Sequence, residues 1–433
     1  MTSIRLTRAT MCWASAAVVV LSAVAGCGSA GGQGTPAKAG PPAPTEPGAP
    51  SRPVHDPPAA FATGHPASLP EQAIAGRLTV GGMLNAPLPI ALYKATAFVA
   101  TATQLQAIDT GTGRTTATVT PERTPVETGD AWNDTNHAAA PLLVDAHGAA
   151  TVIAPFVVKQ TGTGTQATHT VVEVTGTSAE TGKAIWHLTL GLPEWATETT
   201  PEVSAIGADS GIAVISASAS RSGHAVAFGI DLNSPRQVWS MDRFQASAVA
   251  DRTVAGSVLE DAVGIDRRPA GFDIATGKQL WKGPLGASAS ADPAGPQRLR
   301  VHGKDYDNGP YERLTDPRTG RTLQSLPSGL AGSTCTYDDQ SMLICYGMSA
   351  VYGVEPSTGK VAWQLPDAQA DRIAPKITTA WHGRVYGTTP NGAIALDART
   401  GKDVPSPHVA PLLVNESAGI VLDDGLVAYP TSG

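Results

Sequence analysis

A short turn recurs along this chain, and its recurrence restricts the possible folds more than any other feature. In the clearest copy, Asp273-Ile274-Ala275-Thr276-Gly277-Lys278 follows the apolar run 269–272 and leads to Trp281. The Asp273 carboxylate is placed to accept bonds from amides further round the turn, and Thr276 adds a hydroxyl. Gly277 takes the positive φ that closes a hairpin of this length. The turn returns at Asp109 to Gly113, Ala179 to Gly182, Asp316 to Gly320, Glu355 to Gly359 and Asp397 to Gly401. A degenerate copy starts at Asp231 and has Pro235 where glycine is expected. The closing positions 113, 182, 235, 277, 320, 359 and 401 are 69, 53, 42, 43, 39 and 42 residues apart. Four residues after four of them stand Trp186, Trp239, Trp281 and Trp363.

A period near 40 residues leaves room for four short strands and marks a β-propeller blade. The expectation is an all-β chain forming a single β-propeller of four-stranded antiparallel blades, eight in number, with seven as the alternative. Only 15% of residues are charged, while Gly (46) and Pro (35) are abundant, which suits many short strands joined by turns. In the clearest blade, strands are expected at 377–381, 384–388 and 393–397, with turns at His382-Gly383 and Pro390-Asn391-Gly392. Residues 426–433 read as a third strand and turn of an eighth blade. The segment 73–83, and 76–80 within it, is expected to supply that blade's missing strand, bringing both ends into one sheet and leaving no open edge. The stretches 121–140 and 192–201 read as surface loops.

The amino terminus reads as a targeting segment. Arg5 and Arg8 precede an apolar run over 11–24, too short to be a convincing membrane span. Val24-Ala25-Gly26-Cys27 resembles the lipobox of bacterial lipoproteins. That resemblance implies cleavage after residue 26 and a lipid on Cys27, with the protein on the outer face of the bacterial cytoplasmic membrane, or secreted if the lipobox is not processed. Residues 27–69, rich in Pro, Ala and Gly, read as a disordered tether, and 70–433 as the propeller. Cys335 and Cys345 flank a turn at 338–340, so a cross-strand disulfide is expected outside the cytoplasm.

The pattern Asp-x-x-Thr-Gly-Lys-x-x-Trp resembles the quinoprotein-type (PQQ-like) propeller repeat, over roughly residues 73–433. The resemblance implies structural roles for Asp109, Gly113, Asp273, Gly277, Asp316, Gly320, Glu355, Gly359, Asp397 and Gly401. It implies that Trp186, Trp239, Trp281 and Trp363 dock between neighbouring blades. The repeat is shared by quinoprotein dehydrogenases and by the lipoprotein propeller of the outer-membrane assembly machinery. Dehydrogenases of this kind hold their quinone beneath a disulfide between adjacent cysteines, and no two cysteines are adjacent here. No Gly-x-Ser-x-Gly, His-Glu-x-x-His or Cys-x-x-Cys motif occurs. Asp305-Tyr306-Asp307-Asn308-Gly309 reads as a turn, because its glycine comes one place early for a Ca²⁺ loop. The expected protein therefore has no catalytic residue, cofactor or metal. Its net charge of −7 argues against nucleic acid as a partner. It is expected to be a monomeric, lipid-anchored binding module for a protein, peptide or glycan of the cell envelope. Candidate contacts are the loops 120–140 and 193–201, which carry Trp132 and Trp195. The alternative is a quinoprotein-like enzyme or small-ligand sensor using the central channel.

Overall fold

The computed structural model describes residues 54–74, 87–126, 138–197, 200–219, 223–330 and 332–433. Regular structure in them is β-strand, apart from short 3-10 turns at Glu71–Ala73, Glu194–Thr197 and Ser328–Leu330. The fold is an all-β propeller of antiparallel four-stranded sheets.

Each repeat turn is held by its own residues. Asp273 Oδ1 accepts from the Thr276 amide at 3.1 Å and hydroxyl at 2.9 Å, and Gly277 N donates to Asp273 O at 2.8 Å. Asp109 and Asp397 repeat the pattern. The six closing glycines, Gly113, Gly182, Gly277, Gly320, Gly359 and Gly401, have φ between 65° and 69°, where a Cβ is strained. Beyond the turn the pairing slips by one residue. That slip sets Trp186, Trp239, Trp281 and Trp363 across from Gly176, Gly229, Gly271 and Gly353 on the third strand. A methyl on Gly271 would fall 2.2 Å from Trp281 Nε1, so the indole fills the space a side chain would need.

The strands pair in chain order as meanders. Sheets one to seven span 90–119, 142–191, 202–242, 244–282, 286–325, 334–365 and 376–404. The fourth and fifth share one extra pairing, Arg267 with Gly286. The eighth unit takes its first three strands from 413–430 and its fourth from Ala67–Ser68, with Ala67 across from Ala428. The first strands lie beside one another from sheet to sheet, which makes them the inner edge.

Three sequence expectations change. The strand completing the last sheet is Ala67–Ser68 rather than a segment within 73–83, most of which lies outside the described residues. Residues 54–69, read as tether, instead form an arm along 425–433. Phe61 is buried against Tyr386, Pro58 O accepts from Tyr386 Oη at 2.8 Å and Arg384 Nη1 at 2.6 Å, and Asp56 pairs with His382 at 2.6 Å. Three apolar side chains, Phe61, Ala67 and Leu69, outweigh the Pro/Ala-rich composition around them once a partner strand is present. The first insertion is also not wholly loop, because Thr124–Pro125 pairs with the long strand Ala149–Gln160.

The apolar core lies in seams between sheets. Eight clusters each join neighbouring sheets: Phe98 meets Phe156, Val174 meets Phe228, and Trp239 meets Phe244. Others join the fourth to the fifth, fifth to sixth, sixth to seventh and seventh to eighth. In the last, Ile420 and Leu426 of the eighth sheet meet Ile90 and Leu92 of the first. Each fully buried Leu, Val or Phe contributes roughly 1.5–3 kcal/mol, so stability is spread round the seams.

Candidate functional site

Meander connectivity sorts the connections into two ends. First-to-second and repeat turns gather at one end. Second-to-third loops and the connections between sheets gather at the other, called here the loop end. The turn end is tied by Lys94 to Glu180 (2.6 Å) and by Arg252 N donating to Asp209 Oδ2 (2.7 Å).

The repeat residues belong to the seams. Trp239 Nε1 donates to Ile274 O, Trp281 to Pro317 O and Trp363 to Ala398 O, at 2.7, 2.7 and 2.8 Å. Each accepting carbonyl follows the turn acid of the next sheet. Gly277, Gly320 and Gly401 abut the tryptophan of the preceding sheet, so each indole lies between two glycines. Trp186 packs in the seam that contains Leu232. Where the position lacks tryptophan, Gln324 faces Gly359 and Ala117 faces Gly182. Cys335 and Cys345 are disulfide-bonded across the first two strands of the sixth sheet. Cys27 and Trp132 lie outside the described residues.

Buried charge also serves structure. Glu173, fully buried, accepts from the Glu122 and Arg123 amides at 2.6 and 3.2 Å, and His187 Nδ1 lies 3.0 Å away. It pins the chain entering the second sheet. Arg300, 2% exposed, meets Glu312 at 2.5 Å and Asp292 at 2.7 Å and donates to Ser333 O at 2.7 Å, bridging the fifth and sixth sheets. Burial pushes the Glu312 carboxyl above its ordinary range despite Arg300. Burial acts the same way on Asp292, but His302 and Arg300 outweigh it and hold that carboxyl low. Neither cluster was legible, because its members lie on different strands. The Asp305 carboxylate is spent within its own turn, on Asn308. Among the described residues no group of three or more His, Cys, Asp or Glu side chains could hold a metal ion, and no helix is long and apolar enough to cross a membrane.

The loop end is different. Trp195 sits in the short 3-10 turn after the second sheet and stacks on His224, with ring centroids 5.7 Å apart and planes at 7°. It is half-buried in the seam below. Gly223 N beside that histidine donates to Ala262 O at 2.9 Å, in the next sheet's loop. That loop is closed by Glu260 N donating to Asp266 O at 2.8 Å, and Asp266 accepts from the Tyr306 hydroxyl of the fifth sheet. The loops of three sheets thus form one hydrogen-bonded strip. It presents Val263, Ile265 and Tyr306 at 61%, 57% and 54% exposure, and Met348 and Ile373 are exposed at the same end. Exposed apolar groups gathered this way mark interaction surfaces. Val263 and Ile265 lie in the loop between the strands Thr253–Leu259 and Arg267–Asp273, and both are exposed.

At the turn end, a cleft of about 480 Å³ opens among inner strands of the second to fourth sheets, lined by Leu142, Val144, Asp145, Asp209, Leu232 and Val249. Asp145 accepts from Gly148 N at 2.6 Å and Asp209 from Arg252 N at 2.7 Å, so both carboxylates also secure turns.

A family model described as outer membrane protein assembly factor BamB, a PQQ-repeat family, matches residues 173–432. No curated protein matches the chain. Among solved structures, a crystal structure of a eukaryotic initiation factor aligns at 13% identity, covering 82% of this chain and 79% of the other, with a TM-score of 0.41. A complex of KlAtg21 with the coiled-coil of AgAtg16 aligns at 11% identity, covering 72% and 94%, with a TM-score of 0.40.

Proposed function

Because the chain belongs to the PQQ-repeat family described as outer membrane protein assembly factor BamB, we propose that it is a non-catalytic propeller that binds a protein partner in the cell envelope through its loop end. The observation that carries this reading is the linked strip bearing Val263, Ile265 and Tyr306. The turn end is occupied by contacts that hold sheets together, whereas the loop end offers exposed apolar side chains on hydrogen-bonded loops. We read the eight sheets as the blades of one ring, with Ala67–Ser68 completing the eighth.

A photo-reactive amino acid at Val263 or Met348 should give a discrete cross-linked adduct in native envelopes, and the same group at Ser210 of the turn end should not. Adducts from Ser210 alone, or from none of the three, would overturn the assignment.

The proposal includes lipid attachment at Cys27, carrying the propeller at the outer face of the cytoplasmic membrane. The support is Val24-Ala25-Gly26-Cys27 behind the apolar run. Cys27→Ala should move the protein from the membrane fraction to the soluble one. Retention in the membrane fraction would sink the lipid-anchor reading.

A further inference from the structure

The chain contains two Asn-Gly pairs, Asn308-Gly309 and Asn391-Gly392, and both lie in hairpin turns that join a second strand to a third at the loop end. We propose that Asn391 is a site of spontaneous deamidation, a covalent modification that the fold directs to this turn and withholds from Asn308. Asparagine before glycine is labile because no side chain shields the amide nitrogen that attacks it. Gly392 N attacks Asn391 Cγ. The N–Cγ bond forms, the Cγ–Nδ2 bond breaks, and ammonia leaves with the proton of the glycine amide. Water then opens the succinimide. Opening at Cγ gives aspartate. Opening at the Asn391 carbonyl carbon gives isoaspartate, with the main chain running through Cβ and Cγ. Water is the only co-reactant.

The two turns share what permits attack. Both asparagines are exposed, and each glycine closes its hairpin, Gly309 across from Asp305 and Gly392 across from Thr389. A Cβ on either glycine would meet nothing within 4 Å. They differ in the hold on the asparagine side chain. Asn308 Nδ2 donates to Asp305 Oδ2 at 3.3 Å, and Asn308 N donates to Asp305 Oδ1. The backbone bond from Asn308, first, holds the Asp305 carboxyl below its ordinary range, so an anion sits beside the group that must develop negative charge. Asn391 N donates to Thr389 Oγ1 at 3.1 Å, but among the described residues no hydrogen bond or ion pair holds the Asn391 side chain. Its Cγ turns freely toward Gly392 N, whereas Asn308 must first give up its bond to Asp305. The rate follows the fraction of time the reacting atoms spend in the attack geometry, which favours Asn391. Conversion places a new carboxylate on the end given to binding. The isoaspartyl product also adds a carbon to the main chain, which the two-residue turn between Thr389 and Gly392 has to absorb. The inference does not depend on that binding role.

The test incubates the purified full chain at mildly alkaline pH in water labelled with heavy oxygen, then maps its peptides by mass spectrometry. The label separates conversion during incubation from conversion during digestion. Label should enter residue 391 as aspartate and isoaspartate, and should enter residue 308 about tenfold or more slowly. In the urea-unfolded chain the two asparagines should react at similar rates, because the bond to Asp305 is gone. Asp305→Ala should raise the folded-state rate at Asn308 toward that at Asn391. An unlabelled Asn391, equal labelling in the folded chain, or a difference that survives in urea would each overturn the proposal. So would an Asp305→Ala chain, folded by circular dichroism, in which Asn308 stays slow.

Discussion

Trp239→Ala should destabilise the protein by about 3–5 kcal/mol, the range for emptying a buried indole site, read as a lower urea midpoint. Trp239 is buried, its Nε1 donates to Ile274 O at 2.7 Å, and it lies between Gly229 of its own sheet and Gly277 of the next. Removal leaves a void bordered by two residues with no side chain to fill it, so little relaxation is available. Trp239→Phe should cost less, because it keeps most of the apolar area and gives up a bond worth about 1 kcal/mol. Gly229→Ala should resemble the tryptophan loss from the opposite side, since a methyl there meets Trp239 Cε2 at 2.2 Å. Gln324→Ala, at the equivalent position of the fifth sheet, should cost under about 1 kcal/mol. Equal losses at Trp239 and Gln324 would show that the seams do not depend on the indole.

Arg300→Met should cost about 3–5 kcal/mol, because it strands the buried Glu312 carboxylate rather than merely deleting a contact. Glu312 is enclosed at 5% side-chain exposure and would lose the partner at 2.5 Å. The double variant Arg300→Met/Glu312→Leu should recover most of the loss, leaving only Asp292, which keeps His302 at 3.1 Å. Failure of the second change to rescue would place the value of Arg300 in its bond to Ser333 O instead. The cluster also has a signed pH response. Asp292 titrates below its ordinary range in the folded chain, so its contribution is complete above the unfolded carboxylate range. It is lost as pH falls through the lowered value. Acid unfolding of the Asp292→Asn variant should be shifted accordingly.

Legibility followed the range of the interactions. The repeat turn could be read because Asp273, Thr276 and Gly277 supply its bonds and its backbone freedom within five positions. Trp281 was visible through its spacing. Its glycine partner was overlooked, although a signal existed: Gly176, Gly229, Gly271 and Gly353 each stand ten residues before the tryptophan they face. The arm was hidden because Phe61 and Ala67 meet 425–433 only across the whole length of the chain. The loop strip was hidden for another reason. Trp195 lies at the same end, but the outward aim of Val263 and Ile265 depends on hydrogen bonds linking loops of three sheets.

The pairing of Ala67 with Ala428 has a consequence in time. A chain made amino end first can form the sheets at 90–119 and onward while synthesis continues, because their pairings are local. The sheet built on 413–430 must wait, and its outermost strand must remain available until the far end has emerged. Contacts so distant in sequence carry a large loop-closure cost and slow the final step. Until then, the strand pair 418–430 presents an unpaired edge to any neighbouring extended segment. The interval between formation of that strand pair and the docking of Ala67–Ser68 is therefore a period in which this edge is open to mispairing.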